Sequence, residues 1–481
     1  MPKVLIVSPN DSRIGPNKNT WTPLFIASAA AVLENTGCTV RVFDRLAHSH
    51  RGGQSLAGTH QAMLSLVSSF KPDLVLIEAN PESIYDTCHC ARDIKALHDA
   101  PLGIFGAHAT ALPALAFQKI PQIDLLIEGE AEIPLAQLVS GDWSSASGVW
   151  LRDGDEARPP SRRSSPIDMD LLPFPAFHLM DTGYYAMRGT DTIWCHYLSS
   201  LTLMTSRGCT GRCAYCLESR DYGPGLRFRS LELVLEDVER CLRDYNLDAI
   251  YLRDCNFLVD RRRCARFCEM LLERNLHRRL LWSAQVRADC VEGGLLGLMK
   301  KAGCTSLEFG VETPNQDHLR AMDKTIPVEA AQKALGLCRE VGIYSHAYLM
   351  RGLPGETLAD LHASEAWVRK YRPSNFFWVK LHVFPGTPLY EQYGDSFFED
   401  NPWDDRQAVH DYYRRNLSSV SLADLEEWLQ KRARPLMARQ RRICQIKANP
   451  PLALAGLTVQ RVRNRALSLA RKIGGGSDER E

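Results

Sequence analysis

A chain of 481 residues with a net charge of +1, 45% hydrophobic and 24% charged residues, has room for two or three domains and the composition of a soluble globular protein, which excludes disordered and fibrous classes. Its fifteen cysteines are odd in number and scattered from Cys38 to Cys444, so they exclude the dense disulfide framework of a small secreted domain and fit reduced thiols in the cytoplasm. The N-terminal MPKVLIVSPND turns polar too soon for a signal peptide, and the longest apolar stretch, LFIASAAAVL, is about half of the ~20 residues that a membrane span needs, so a cytoplasmic protein without a transmembrane segment is expected.

The first 140 residues alternate short apolar runs with helical patterns. KVLIVS, TVRVFD, DLVLIEA, LGIFGA and IDLLIEG read as strands, separated by helices such as PLFIASAAAVLENTG and YDTCHCARDIKALHD. This α/β alternation predicts a doubly wound, Rossmann-like parallel sheet over residues 1–145, with ligand loops at the strand ends in SPND, EANPES, GAHAT and EGEAE. Residues 146–195 are rich in Pro, Ser and Arg and are expected to form an ordered linker.

Six further strand-helix units follow over residues 196–395, with strands in LSSLTLMTS, DAIYLRD, RLLWSAQVR, SLEFGVE, YSHAYLMRG and NFFWVKLHVFPG. A continuous run of such units predicts a barrel-type sheet of six units, with its chemistry in the loops after the strands. Residues 396–481 are expected to be helical and basic, SLADLEEWLQKRARPL opening at a Ser or Asp cap. Lys431 to Lys472 contains twelve Lys or Arg and no acid, and it is expected to pack on an acidic face of the same protein or to be solvated; an anionic surface or nucleic acid is the other possible partner.

The loop after the first barrel strand reads CTGRCAYC and carries Cys209, Cys213 and Cys216. A closed zinc site wants four protein ligands, whereas three thiolates on a four-iron four-sulfur cluster leave one iron open to a substrate or cofactor. This spacing, with Tyr215 before the last cysteine, resembles the signature of the radical S-adenosylmethionine (SAM) enzymes. RDCNF, WSAQVRADC, MKKAGCTSLEFGVET, MRGLPGET and FPGTPLY extend the likeness to the subgroup with an N-terminal cobalamin-binding-type domain. The resemblance implies a 4Fe-4S cluster on Cys209, Cys213 and Cys216, with SAM on the open iron. It also implies adenine beside Tyr215, the methionyl amino group near Asp254, and the SAM carboxylate and ribose near Arg287 and Glu312. A barrel-mouth salt bridge is the alternative for each of these charged residues. Where the subgroup often has a second acid, this chain has Cys255, which is either a hydrogen donor to an intermediate or a small buried cysteine.

The N-terminal segment resembles the subgroup's cobalamin domains, which implies cobalamin near Gly106, Thr110 and Gly129. It lacks Asp-x-His-x-x-Gly, as most of the subgroup does. Phe25 replaces a glycine, Ala107 departs from a GGPHAT-like loop, and EANPES stands where small hydroxyl residues are usual, so the corrin site is kept, altered or empty. His48, His50 and His108 are conceivable ligands, though a lone loop histidine is more often solvated or hydrogen-bonded.

With cobalamin, the resemblance implies radical methylation of a small-molecule carbon in natural-product biosynthesis. Without it, the likeness is to radical SAM dehydratases of aminosugars in antibiotic pathways, lyases that work with a partner dehydrogenase. Either needs a small-molecule substrate and an electron donor such as flavodoxin or ferredoxin. An RNA-modifying enzyme is a third reading, weakened by the few aromatics in the basic stretch, and nucleic acid is not the expected partner. A cluster-binding protein without activity is the remaining alternative.

Overall fold

The computed structural model describes residues 1–10, 21–51, 55–141, 143–188, 193–218 and 225–449. Strands β1 (Lys3–Ser8), β2 (Thr39–Asp44), β3 (Leu74–Glu78), β4 (Leu102–Phe105) and β5 (Leu125–Ile127) form a parallel sheet in the order β2-β1-β3-β4-β5. Helices cover both faces, which is why Val4, Leu5, Ile6 and Val7 can all be fully buried on adjacent positions of one strand.

The sheet extends further than the sequence suggests. Two antiparallel strands, β6 (Val149–Asp153) and β7 (Glu156–Arg158), lie within the expected linker and continue the sheet beyond β5. Gly154, at φ +59°, closes their turn. The rest of the linker is tied to both halves. Tyr185 donates a hydrogen bond to the buried Asp44 at the end of β2, and Arg229 donates to the Met169 carbonyl at 2.6 Å.

The second sheet contains β8 (Ser200–Leu203), β11 (Ala249–Leu252), β12 (Leu281–Val286), β13 (Cys304–Glu312), β14 (Tyr344–Arg351) and β15 (Asn375–Lys380). All six are parallel, in the order β15-β14-β13-β12-β11-β8, so the barrel is partial, with edges at β8 and β15. A two-stranded ribbon of β9 (Ser206–Arg207) and β10 (Arg227–Phe228) brackets the three-cysteine loop.

The C-terminal region divides between the two sheets. Phe398, Trp403, Val409, Tyr412 and Tyr413 belong to the same core as β1, β3 and β4, so this stretch completes the N-terminal unit. The later helical stretch, Leu422–Trp428 continued by Arg434–Ala448, packs on the barrel: Trp428 meets Trp378 at 5.1 Å, and Gln440 caps the Pro373 and Ser374 carbonyls beside β15. Within it, Lys431 pairs with Glu427, Arg432 with Glu365 and Arg434 with Glu426, so these basic residues meet acids of the same chain. The rest of the basic stretch, from residue 450, lies outside the described residues. No described helix is long and apolar enough to cross a membrane.

Candidate active site at the barrel mouth

Gly208 closes the neck of the cysteine loop. Its φ is +89° and a Cβ there would fall 2.1 Å from the Gly225 carbonyl oxygen, so the two ends of the loop can meet only at glycine. The middle of the loop is pinned by backbone hydrogen bonds, Ala214 N–H to the Met322 carbonyl at 2.8 Å and Leu389 N–H to the Ala214 carbonyl at 2.9 Å. This gives FPGTPLY a structural role: its Leu389 fastens the loop. GLPGET is likewise a turn, in which Glu356 accepts from Gly352 N–H at 2.6 Å and burial pushes its carboxyl up to about 7.

Cys209, Cys213 and Cys216 line one cavity of about 340 Å³ at the barrel mouth. Gly211 leaves a cradle beside Cys209 and Cys213, because a Cβ there would stand 3.5 Å from Cys209 Sγ, 3.8 Å from Cys213 Sγ and 3.2 Å from Arg287 Nη1. Gly211 N–H also donates to Cys209 Sγ at 3.3 Å, the kind of bond that tunes a ligating sulfur. Burial raises the Cys213 thiol and pushes Cys216 up to about 12. Among the described residues no three His, Cys, Asp or Glu side chains converge on a single ion. A cubic cluster makes a different demand, since each thiolate takes a different iron, and three thiols lining one cavity, two of them beside a glycine, fit that requirement.

Tyr215 is anchored from below. Its hydroxyl donates to Glu312 Oε1 at 2.9 Å, and Glu312 forms a buried ion pair with Lys324, whose ammonium also reaches the Gly310 carbonyl at 2.9 Å. Glu312 sits at φ +62° beside a register shift between β13 and β14. Such strained bulges re-aim side chains next to functional sites. Arg287 reaches the cavity while Asp289 grips its Nε at 3.1 Å and Nη2 at 2.8 Å. Cys255 also lines the cavity, its thiol 3.4 Å from Glu218, and burial pushes that thiol up.

Asp254 departs from expectation. It is 1% exposed and does not line the cavity; its oxygens accept from Thr205 N–H at 2.7 Å, Thr205 Oγ1 at 2.5 Å and Ser206 Oγ at 2.7 Å. With three donors already in place, this carboxylate buttresses the start of the cysteine loop instead of meeting an incoming amino group. The acids that do line the cavity are Glu218, Glu308 and Glu312. Sequence reading passed over Glu308, Glu218, Lys324 and Trp21. Glu308 had a signal: an acid amid a buried apolar strand run must be partnered or functional.

Sheets of this type bind ligands at their strand-end loops, where the residues expected beside a corrin lie. Gly129, at φ +80°, has nothing within 4 Å of where its Cβ would stand, and its N–H donates to Thr110 Oγ1 at 2.9 Å. That open backbone edge fits a flat ligand. Gly106 serves its own turn, since a Cβ would meet Asn80 Oδ1 at 3.0 Å. Phe25 is exposed and lines a separate small cleft with Pro173 and Met204. His108 does not fit as a ligand: it is fully buried, bonded through Nδ1 to Tyr413 at 2.8 Å, set edge-on to Trp403, and pushed down to about 3 by burial. His48 packs on Phe43 and His50 on Tyr184.

Residues 203–368 match the Radical SAM superfamily. An uncharacterized methyltransferase of Pyrococcus horikoshii is 23% identical over 394 residues, covering 81% of this chain and 82% of its own length. The cytidylyl-2-hydroxyethylphosphonate methyltransferase of Streptomyces wedmorensis is 24% identical over 425 residues, covering 78% of this chain and 79% of its own. In fold, the chain is similar to the radical SAM methyltransferase TsrM of Kitasatospora setae, solved with cobalamin and a 4Fe-4S cluster, with a TM-score of 0.66 and 18% identity over 82% of this chain and 78% of that one. The segment that matches the Radical SAM superfamily begins on the strand that delivers the three cysteines and runs through five of the six barrel strands, and the likeness in fold to TsrM takes in the N-terminal sheet as well.

Proposed function

We propose that the protein uses SAM radical chemistry to methylate an unactivated carbon of a small molecule in natural-product biosynthesis, with cobalamin as methyl carrier. The observation that carries this reading is the single cavity lined by three thiols of one loop at the barrel mouth. Cys209, Cys213 and Cys216 would hold a 4Fe-4S cluster, which would supply the electron for reductive cleavage of SAM, and the loops of the first sheet would hold cobalamin, which would supply the methyl group.

The chain's own residues hold and shelter these groups. Tyr215, locked by Glu312 and Lys324, keeps its backbone fixed for the adenine. Arg287, oriented by Asp289, offers charge for the SAM carboxylate. Gly129 and Thr110 would stand at the corrin edge. Trp21, supplied by the N-terminal unit, lies 5.9 Å from Tyr251 in a stacked pair and helps to close the cavity against water. Cys255 is placed to return a hydrogen atom to an intermediate. Fifteen free cysteines suit a reducing cytoplasm, where a flavodoxin or ferredoxin would deliver the electron.

Anaerobic reconstitution with iron, sulfide and hydroxocobalamin, followed by gel filtration and metal analysis, tests the reading. Iron together with stoichiometric cobalt is the expected outcome. Iron without cobalt would overturn methylation in favour of a cobalamin-free reaction such as dehydration. His108→Ala is expected to leave cobalt uptake unchanged while costing about 2–4 kcal/mol of stability, through the cavity left among Phe398, Trp403 and Tyr413. A fall in cobalt uptake at full stability would return His108 to the ligand set.

A further inference from the structure

Barrel interiors are usually filled by branched apolar side chains. Here the interior below the thiol loop is polar. Glu308, in the middle of β13, is 1% exposed yet lines the cavity. Its Oε2 accepts from Tyr251 at 3.0 Å and from Tyr348 at 2.8 Å, while its Oε1 is buried without a hydrogen-bond partner. Arg253, the cation that acts on this carboxyl, is held by Glu218 at 2.7 Å and by Gln285 at 3.2 Å. On the neighbouring strands, in register with Glu308, His346 and Asn375 are buried with both of their side-chain polar atoms unpartnered.

Two hydroxyl donors fix the Glu308 carboxylate and leave its other oxygen unpartnered in a side chain that lines the cavity. Burial pushes this carboxyl up to about 7, so its ionised form costs free energy, and a group from outside the protein that completes the unpartnered oxygen would favour that form. The completing group is not held at the level of the thiol loop. Glu308 lies four residues before Glu312, which meets Tyr215, but the bulge between them matches only three steps of β14, so a strand rise of ~3.3 Å per residue puts it roughly 10 Å deeper. Neutral donors already occupy Oε2, so a cation is the group that adds most at Oε1, where it offsets the buried charge as well as donating. Around it, Trp21, Met350 and Val379 give the cavity an apolar wall.

The geometry points to a substrate subsite in which Glu308 Oε1 accepts a hydrogen bond from a basic nitrogen, so that the substrate is an amine carried on an apolar or aromatic frame. Tyr251 and Tyr348 are positioning residues that aim the carboxylate. The inference rests on this cavity being the substrate chamber of the proposed enzyme.

Calorimetric titration of the cluster-loaded full chain with 2-phenylethylamine, protonated at pH 8, and with 2-phenylethanol, its neutral counterpart, tests it. The amine is expected to bind at least tenfold more tightly, and Glu308→Gln to reduce that preference to less than twofold. Equal binding of the two probes by the wild type, or a preference that survives in Glu308→Gln, would overturn the subsite. If the variant does not fold, a wild-type crystal soaked with the amine decides: nitrogen within hydrogen-bond distance of Glu308 supports the subsite, and nitrogen elsewhere overturns it. Iron content and SAM cleavage, measured on the same preparation, report separately on the radical reading.

Discussion

Alanine at any one of Cys209, Cys213 or Cys216 is expected to abolish cluster retention and to lower SAM cleavage by a factor on the order of a thousand or more. The physical reason is that the three thiols sit on one loop whose backbone is held in place. The loop ends are fixed by the close approach of Gly208 and Gly225, its middle is tied to Met322 and Leu389, and two of the thiols, Cys209 and Cys213, flank the cradle left by Gly211. A rigid three-ligand site cannot recruit a replacement without breaking these bonds, and losing one ligand of a set that acts as a unit costs nearly as much as losing all. Iron and acid-labile sulfide analysis, with quantitation of 5′-deoxyadenosine, makes the measurement. Cys255→Ala is the contrast, because its thiol touches Glu218 and stands outside the three-ligand loop, so iron is expected to stay. Full iron in all three single variants would reject the ligand assignment. Unchanged turnover in Cys255→Ala would remove the hydrogen-donor role.

Arg207→Leu is expected to be the most destabilising single change away from the thiols, by about 3–5 kcal/mol, because it leaves buried carboxylates without their cation. Arg207 extends from β9, next to the cysteine loop, into the strand-end loop of the first sheet. It donates to Glu132 at 2.6 Å and lies 3.5 Å from Glu130, and all three side chains are almost completely buried. Arg227 reinforces the contact from β10 by pairing with Glu130. Burial alone would raise the Glu132 carboxyl, but the charge and hydrogen bond of Arg207 outweigh it and hold the group below its usual value of 4.5. A depressed carboxyl contributes stability that is present above the unfolded-state value and is lost as pH falls through the folded one. The contact between the two halves is therefore expected to weaken as pH drops below about 4.5, and the variant should lack that part of the acid dependence. Urea denaturation as a function of pH makes the measurement. Arg207→Leu combined with Glu132→Leu should recover part of the loss, since a matched apolar pair removes the stranded charge. A cost below about 1 kcal/mol for the single variant would mean that the ion pair is solvated in solution.

Both predictions depend on contacts between distant segments, and this is where reading the sequence reached its limit. The five strands of the first sheet and the six of the second lie where the apolar runs place them, because a parallel strand covered on both faces must be apolar along its whole length. The β6–β7 extension escaped notice because WLRDGDEAR is polar and partly exposed, leaving only the Gly154 turn as a signal. The division of the C-terminal region was equally hidden. Helical periodicity says that a face is buried, but not which sheet buries it, and only the assembled core puts Trp403 against His108 and Trp428 against Trp378.

The candidate site divides along the same line. Spacing within one loop is a local property, so CTGRCAYC by itself placed three thiols on one loop after the first barrel strand, and the likeness of the flanking segments pointed to the superfamily that residues 203–368 match. The orientation of each acid is a property of the packed molecule. Asp254 and Glu308 both end as buried carboxyls of the barrel, yet Thr205 and Ser206 claim the oxygens of one, while the other lines the cavity with one buried oxygen unpartnered. His108, plausible as a ligand in a linear reading, was taken out of reach by aromatic residues about 300 positions away, its Tyr413 bond spanning 305. Sequence separation carries no information about such neighbours; the free energy of burying them together decides it, and that term exists only once the chain has folded.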